Sequence, residues 1–90
     1  MERDQLIGEL QNKYPKMFLR TTEEFDGTPD GIWTNGEEPP VNTKGLPLFN
    51  YYAENNSYDF GIETNFSQYL DELGWYCEWY DAGTIFIVPN

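Results

Sequence analysis

The stretch Trp75-Tyr76-Cys77-Glu78-Trp79-Tyr80, Asp81-Ala82-Gly83, Thr84-Ile85-Phe86-Ile87-Val88-Pro89 decides how this chain folds. Two runs of aromatic and β-branched side chains, the types that fit a pleated surface, flank a turn and read as a β-hairpin. With Asp81, Ala82 and Gly83 as a three-residue loop, Gly83 takes the left-handed position of a bulge, where the absence of a Cβ removes the steric cost. Trp79 then faces Ile85 and Cys77 faces Ile87, with Trp75 further along the same apolar side. Tyr76, Glu78, Tyr80, Thr84, Phe86 and Val88 form a mixed opposite face. A two-residue Ala82-Gly83 loop would instead pair Glu78 with Ile87 and force Ala82 to positive φ. A slip of one residue swaps faces on one strand, so the first register is the expected one. Pro89 lacks an N–H and ends the ladder.

A lone hairpin is marginal in water, so its apolar face needs a cover. Phe66, Tyr69, Leu70 and Leu73 fall at i, i+3, i+4 and i+7, one stripe of a helix over Phe66–Leu73. Thr64 or Asn65 caps its start, with Gln68 completing a capping box, and Gly74 stands where a helix end takes a left-handed residue.

Upstream, residues 3–13 form an amphipathic helix with the stripe Leu6, Ile7, Leu10 and Tyr14. Glu2 and Asp4 suit its start, Lys13 its end, and Pro15 stops it. Met17, Phe18 and Leu19 then anchor it. Residues 21–45 are acidic and rich in turn-formers, with Ile32-Trp33-Thr34 as a short strand and Asn35-Gly36 as a type I′ turn signal. A turn-rich stretch of that length is expected to be functional or poorly ordered. Residues 46–53 fit a short helix started by Pro47 slightly better than a strand. The alternation Tyr58, Phe60, Ile62 extends the sheet. The expectation is one α+β domain over residues 1–90: an anchored N-terminal helix (1–20), an acidic loop region (21–45), and an aromatic-rich core (46–90). In it, the two helices pack on a small antiparallel sheet that ends in the hairpin. Twelve of the sixteen aromatic residues lie between Phe49 and Phe86, which places the core in the C-terminal half.

The chain carries sixteen acidic and five basic residues and no histidine, a net charge of −11. All five cations (Arg3, Lys13, Lys16, Arg20, Lys44) precede Gly45, and the 46 residues from Gly45 onward hold seven acids. Such a field opposes direct contact with nucleic acid or an anionic membrane and suits a basic protein surface or a divalent cation. No apolar run is long enough to span a membrane, and the charged N-terminus is unlike a signal peptide, so a cytoplasmic protein is expected. One cysteine excludes an internal disulfide, and Cys77, mid-strand on the apolar side, reads as packing. An aromatic sheet face in so short a chain leaves room for a homodimer.

Two groups of residues point to chemistry. Asp26, Thr28, Asp30, Gly31 and Glu37 occupy positions 1, 3, 5, 6 and 12 of a calcium-loop register, with oxygens on alternate residues, a glycine for the turn and a distal carboxylate. The stretch Asp26–Glu37 resembles an EF-hand loop. It departs from that pattern at Thr28, at Pro29, and at Pro39-Pro40, which prevent an exiting helix. Asp26, Thr28, Asp30 and Glu37 are therefore candidate ligands of a weak Ca2+ site, against the plainer reading of a turn-rich acidic loop held by Trp33. The second group is Tyr76, Glu78, Tyr80 and Asp81, an acidic aromatic patch that suits a cationic or stacking ligand, against the plainer reading of aromatics on a small sheet's second face as partial core. Catalysis has little footing: a nucleophile would lack its histidine base, and no catalytic residue is assigned.

Finally, Lys13-Tyr14-Pro15-Lys16-Met17-Phe18 together with Gly74-Trp75-Tyr76 and Glu78-Trp79-Tyr80-Asp81-Ala82-Gly83-Thr84 resembles small uncharacterised proteins of tailed bacteriophages and environmental sequences. The resemblance spans about the first twenty and last thirty residues and implies no activity and no site residue. The functional expectation is a non-enzymatic protein-binding or accessory domain, with two alternatives: an acidic mimic of nucleic acid that inhibits a host enzyme, and a calcium-binding module.

Overall fold

A computed structural model describes residues 1–90. The elements are α1 (Arg3–Lys13), β1 (Arg20–Thr21), α2 (Thr22–Asp26), β2 (Ile32–Asn35), β3 (Tyr58–Asp59), β4 (Ile62–Glu63), α3 (Thr64–Glu72), β5 (Trp75–Asp81) and β6 (Thr84–Pro89). Four strands form an antiparallel sheet in the order β1-β2-β6-β5, and β3 and β4 form a separate two-stranded sheet. This is an α+β domain with a C-terminal hairpin.

The hairpin holds the expected register by a different route. Cys77 pairs with Ile87 and Trp79 with Ile85, and the last pair is Trp75 with Pro89. The chain turns through Ala82-Gly83, closed by Asp81 and Thr84, and Tyr80 is the extra residue of a bulge. Gly83 does not take positive φ, so the left-handed bulge expected there does not form. Instead the Asp81 carboxylate accepts from the Gly83 N–H at 3.0 Å, a side-chain substitute for the turn bond. The bulge shifts one strand by one residue and so returns Trp79 to the apolar face.

Trp75, Ile85 and Ile87 are buried, and Cys77 and Trp79 pack half-buried against the same core as Leu6, Leu10, Phe66 and Leu70 from α1 and α3. The Tyr14 ring meets Phe66 edge-on at 6.0 Å, and Lys13 Nζ lies 4.2 Å from the Tyr69 ring centre, which ties the two helices together. The core is less C-terminal than expected. Leu6, Leu10, Met17, Leu19 and Ile32 supply aliphatic volume from the first half, since a sheet this small cannot cover its own rings.

The start of α3 corrects the sequence reading. Its cap is Glu63, not Thr64 or Asn65: the buried carboxylate accepts from Asn65 N at 2.9 Å and Phe66 N at 3.0 Å. Gly74 does take φ +87 beyond the helix, as expected. Residues 46–53 form no helix. The Leu48 N–H donates to Pro40 O at 2.9 Å, its carbonyl accepts from Glu63 N at 2.8 Å, and Phe49 bridges to Ile62. With its backbone groups committed sideways, this segment cannot bond along itself. Nor does Tyr58–Ile62 run as one strand of the main sheet. It folds back on itself at Phe60 and Gly61, both at positive φ (51° and 80°) as a two-residue hairpin turn requires.

Part of the acidic region is ordered structure. Thr21 and Glu24 form a capping box that starts α2, and Thr22 Oγ1 donates to Thr28 O at 2.6 Å and accepts from Gly31 N at 3.0 Å. The Ile32-Trp33-Thr34 strand is present, but it pairs with β6 in the middle of the sheet. Asn35-Gly36 makes no type I′ turn, since neither has positive φ. The Asn35 Oδ1 accepts from Glu37 N at 2.8 Å, and the Gly36 N–H donates to Gly83 O at 3.0 Å.

Candidate functional site

The two faces of the hairpin strands differ in chemistry because side chains alternate along a strand. Trp75, Cys77 and Trp79 turn toward the helices; Tyr76, Glu78 and Tyr80 turn outward, where Tyr76 is 40 % and Tyr80 55 % exposed. Pairing places Phe86 beside Glu78 on this outer face, then Trp33 beside Phe86, then Arg20 beside Trp33. Phe25 of α2 lies over the middle of it, 4.9 Å from Trp33, 4.9 Å from Tyr80 and 5.3 Å from Phe86, in edge-on contacts. Phe18 continues the row at 5.0 Å from Trp33. Edge-on rings lock one another through their quadrupoles, so the outer face is a stiff aromatic floor. Phe25 covers the centre of that floor and reaches Tyr80 of β5, leaving the Tyr76–Glu78 part of the strand open.

On the open side, the Tyr76 hydroxyl donates to Glu78 Oε1 at 2.8 Å. That bond, and the negative charge beside it, holds the Tyr76 hydroxyl above the usual tyrosine range. The carboxylate is thereby fixed beside the Tyr76 ring, and the Asp81 carboxylate, at the end of the strand, accepts from the Gly83 N–H. Arg20, three strands away, is the cation of this face and is drawn over the Phe18 ring at 5.2 Å. The chain's one ion pair, Arg3 with Glu23 at 2.7 Å, occupies neither Glu78 nor Asp81. The four residues Tyr76, Glu78, Tyr80 and Asp81 thus lie on one strand, bulged at Tyr80, with a carboxylate held beside a tyrosine ring, an arrangement that suits an ammonium or guanidinium group.

The four calcium-register residues are not gathered. Asp26 Oδ1 accepts from Thr28 N at 3.0 Å and from Thr28 Oγ1 at 2.6 Å, and these bonds hold its carboxyl below the usual range. Asp30, at φ +67, donates its N–H to Glu23 Oε2 at 3.1 Å. Glu37 follows the paired strand β2, with its side chain directed at Gly83. A strand inserted between Asp30 and Glu37 extends the chain that a calcium loop must curl. No group of three or more Asp, Glu, Cys or His side chains is placed to hold a metal ion. Cys77 is shielded: burial pushes its thiol up to about 12, so it holds its proton at neutral pH.

Two further features went unread in the sequence. A cleft of 470 Å³ lies where α1 and α3 meet the 41–44 loop, with Lys13, Lys44, Tyr14, Tyr69 and Glu63 among its walls. Beyond the end of β5, Tyr51, Tyr52 and Phe60 are exposed around the half-buried Trp79, whose Nε1 donates to Phe60 O at 2.7 Å. The Tyr51-Tyr52 doublet carried that signal, but the helix assigned to residues 46–53 concealed it. Comparison with protein-family models, with curated proteins and with solved structures finds no significant match.

Proposed function

We propose that this chain is a non-enzymatic binding domain that takes a basic protein partner on the outer side of β5, through Glu78 and Asp81 flanked by Tyr76 and Tyr80. One observation carries the reading: an exposed carboxylate, oriented by a tyrosine hydroxyl at 2.8 Å, sits on an aromatic floor in a half-chain that has no cation. The aromatic edges supply area and cation–π contact, and the carboxylates steer a cationic partner to it. The domain acts in the cytoplasm, where its single thiol stays reduced.

A lysine decapeptide is the test. Reversing the patch with E78K and D81K together should abolish saturable binding. D71K with E72K, which changes net charge equally on α3, should weaken binding only as far as overall charge does. Equal losses in the two double variants would reduce the site to a diffuse field and refute it. A second form of the reading, an acidic mimic that fills a nucleic-acid cleft of a host enzyme, draws on the fact that only one of the sixteen acids is in an ion pair. It predicts competition with duplex DNA for the same enzyme.

A further inference from the structure

The strand that carries the patch is also a bare edge of the sheet, since β5 ends the order β1-β2-β6-β5. Outside its ladder with β6, no backbone N–H or C=O from Trp75 to Asp81 bonds to a loop, a cap or a side chain. Which groups face outward follows from two facts. The Asn90 N–H donates to Gly74 O at 2.9 Å, and Pro89, opposite Trp75, has no N–H to give. Antiparallel pairs alternate between bonded and non-bonded, so stepping by two makes Tyr76–Val88 and Glu78–Phe86 the bonded pairs. The N–H and C=O groups of Trp75, Cys77 and Trp79 therefore point away from β6, into solvent. Natural edges are usually blunted by lysine, by proline, by a bulge or by a short length. This one bulges only at Tyr80, and from Trp75 to Trp79 it runs in regular register with no lysine and no proline.

We propose that β5 accepts an antiparallel fifth strand from a lysine- or arginine-bearing segment of a partner protein. Trp75, Cys77 and Trp79 supply its backbone bonds, and Glu78, between Tyr76 and Tyr80, receives a cationic side chain. The inference deepens the binding reading above and rests on it. Strand addition would make Tyr76 and Glu78 the non-bonded pairs toward the newcomer, where opposed side chains come closest. The cation would therefore lie against the carboxylate at short range. Charge argues for this occupant over a second copy: two chains of −11 each repel, and neither has a cation on this strand.

The probe is a capped seven-residue peptide alternating lysine and valine, followed by amide hydrogen exchange and chemical shifts of the intact protein. In the free protein the Trp75, Cys77 and Trp79 amides exchange fast while Tyr76 and Glu78 are protected; the peptide should protect all five. Peptide N-methylated on the residues whose N–H groups face β5 should lose binding, and peptide N-methylated on the alternate residues should keep it. Glu78→Lys should weaken the unmodified peptide on the order of tenfold, because an ion pair is lost and a like charge stands opposite the incoming lysine. If both N-methylated peptides bind alike while Glu78→Lys still weakens them, strand addition is overturned and the binding face stands. If no lysine peptide binds at all, both readings fail. If the free protein is a dimer whose interface protects the three outward amides, a second copy is the occupant and the cationic segment is refuted.

Discussion

Replacing Gly61 with alanine puts a methyl group where the structure has no room for one. A Cβ built there would lie 2.9 Å from Asn50 O and 2.9 Å from Trp79 Cζ2, with Trp79 Nε1 at 3.2 Å. Gly61 is also at φ +80, which costs a non-glycine residue about 1–2 kcal/mol. Forcing a methyl against a backbone carbonyl and a ring adds about 1–3 kcal/mol. Gly74 separates the two contributions, because it has nearly the same φ of +87 and nothing within 4 Å of its Cβ position. Gly74→Ala should therefore cost only the conformational part, about 1–2 kcal/mol, and Gly61→Ala about 2–5 kcal/mol. For a domain of this size, each kcal/mol is worth about 4–8 °C, so the Gly61 variant should lose roughly 8–40 °C in melting temperature. Urea unfolding followed by tryptophan fluorescence gives both values, with unchanged slopes showing that the same surface is exposed. Equal losses in the two variants would mean that Trp79 is not braced by the 58–63 hairpin, and the packing described here would be wrong at that point.

Four other outcomes are expected. Phe60→Asn relieves a bulky residue held at φ +51 while giving up a ring that is 89 % exposed, so it should stabilise the chain by about 0.5–1 kcal/mol in the same urea assay. Glu63→Ala strips two N–H groups at the start of α3 of their acceptor in a buried site and should cost about 1–3 kcal/mol, with faster amide exchange at Asn65 and Phe66. Thr22→Val keeps the shape but leaves the Gly31 N–H and Thr28 C=O unpartnered, at a similar cost of about 1–3 kcal/mol in urea unfolding. Alkali should unfold the protein by linkage: burial holds the Cys77 thiol up to about 12 against 9.0, and Tyr14, Tyr58 and Tyr69 are raised by burial. Between these limits the unfolded chain has lost protons that the folded chain keeps, so this stabilisation is complete below pH 9 and declines as pH rises toward 12; a urea midpoint flat to pH 11 would contradict it.

The hairpin register, α1 and the strand at Ile32 were legible because a one-residue error would have exposed a whole apolar face. The register survived although the turn was assigned wrongly, since burial of Trp79 and Ile85 outweighs the geometry of three loop residues. The cap of α3 was not legible, because glutamate seldom caps a helix and Glu63 does so only after β4 has placed it. The Phe60-Gly61 turn carries no usual turn signature and is held from outside, by the Trp79 indole. Helix α2 is a different case: Thr21-x-x-Glu24 announced it, and the density of turn residues around it hid the signal. Of the site, the alternation of Tyr76, Glu78 and Tyr80 was readable from the strand itself. That β5 would be an edge was not, because strand order depends on the long connection that brings β2 beside β6.

A soluble paramagnetic relaxation agent, applied while the ring and methyl signals of the intact protein are recorded, tests the two-faced strand most directly. Strong broadening of the Tyr76 and Tyr80 rings is expected, with the Trp75 indole and the Ile85 and Ile87 methyl groups spared. Broadening of Trp75 and the isoleucines to the same degree as the two tyrosines would contradict it.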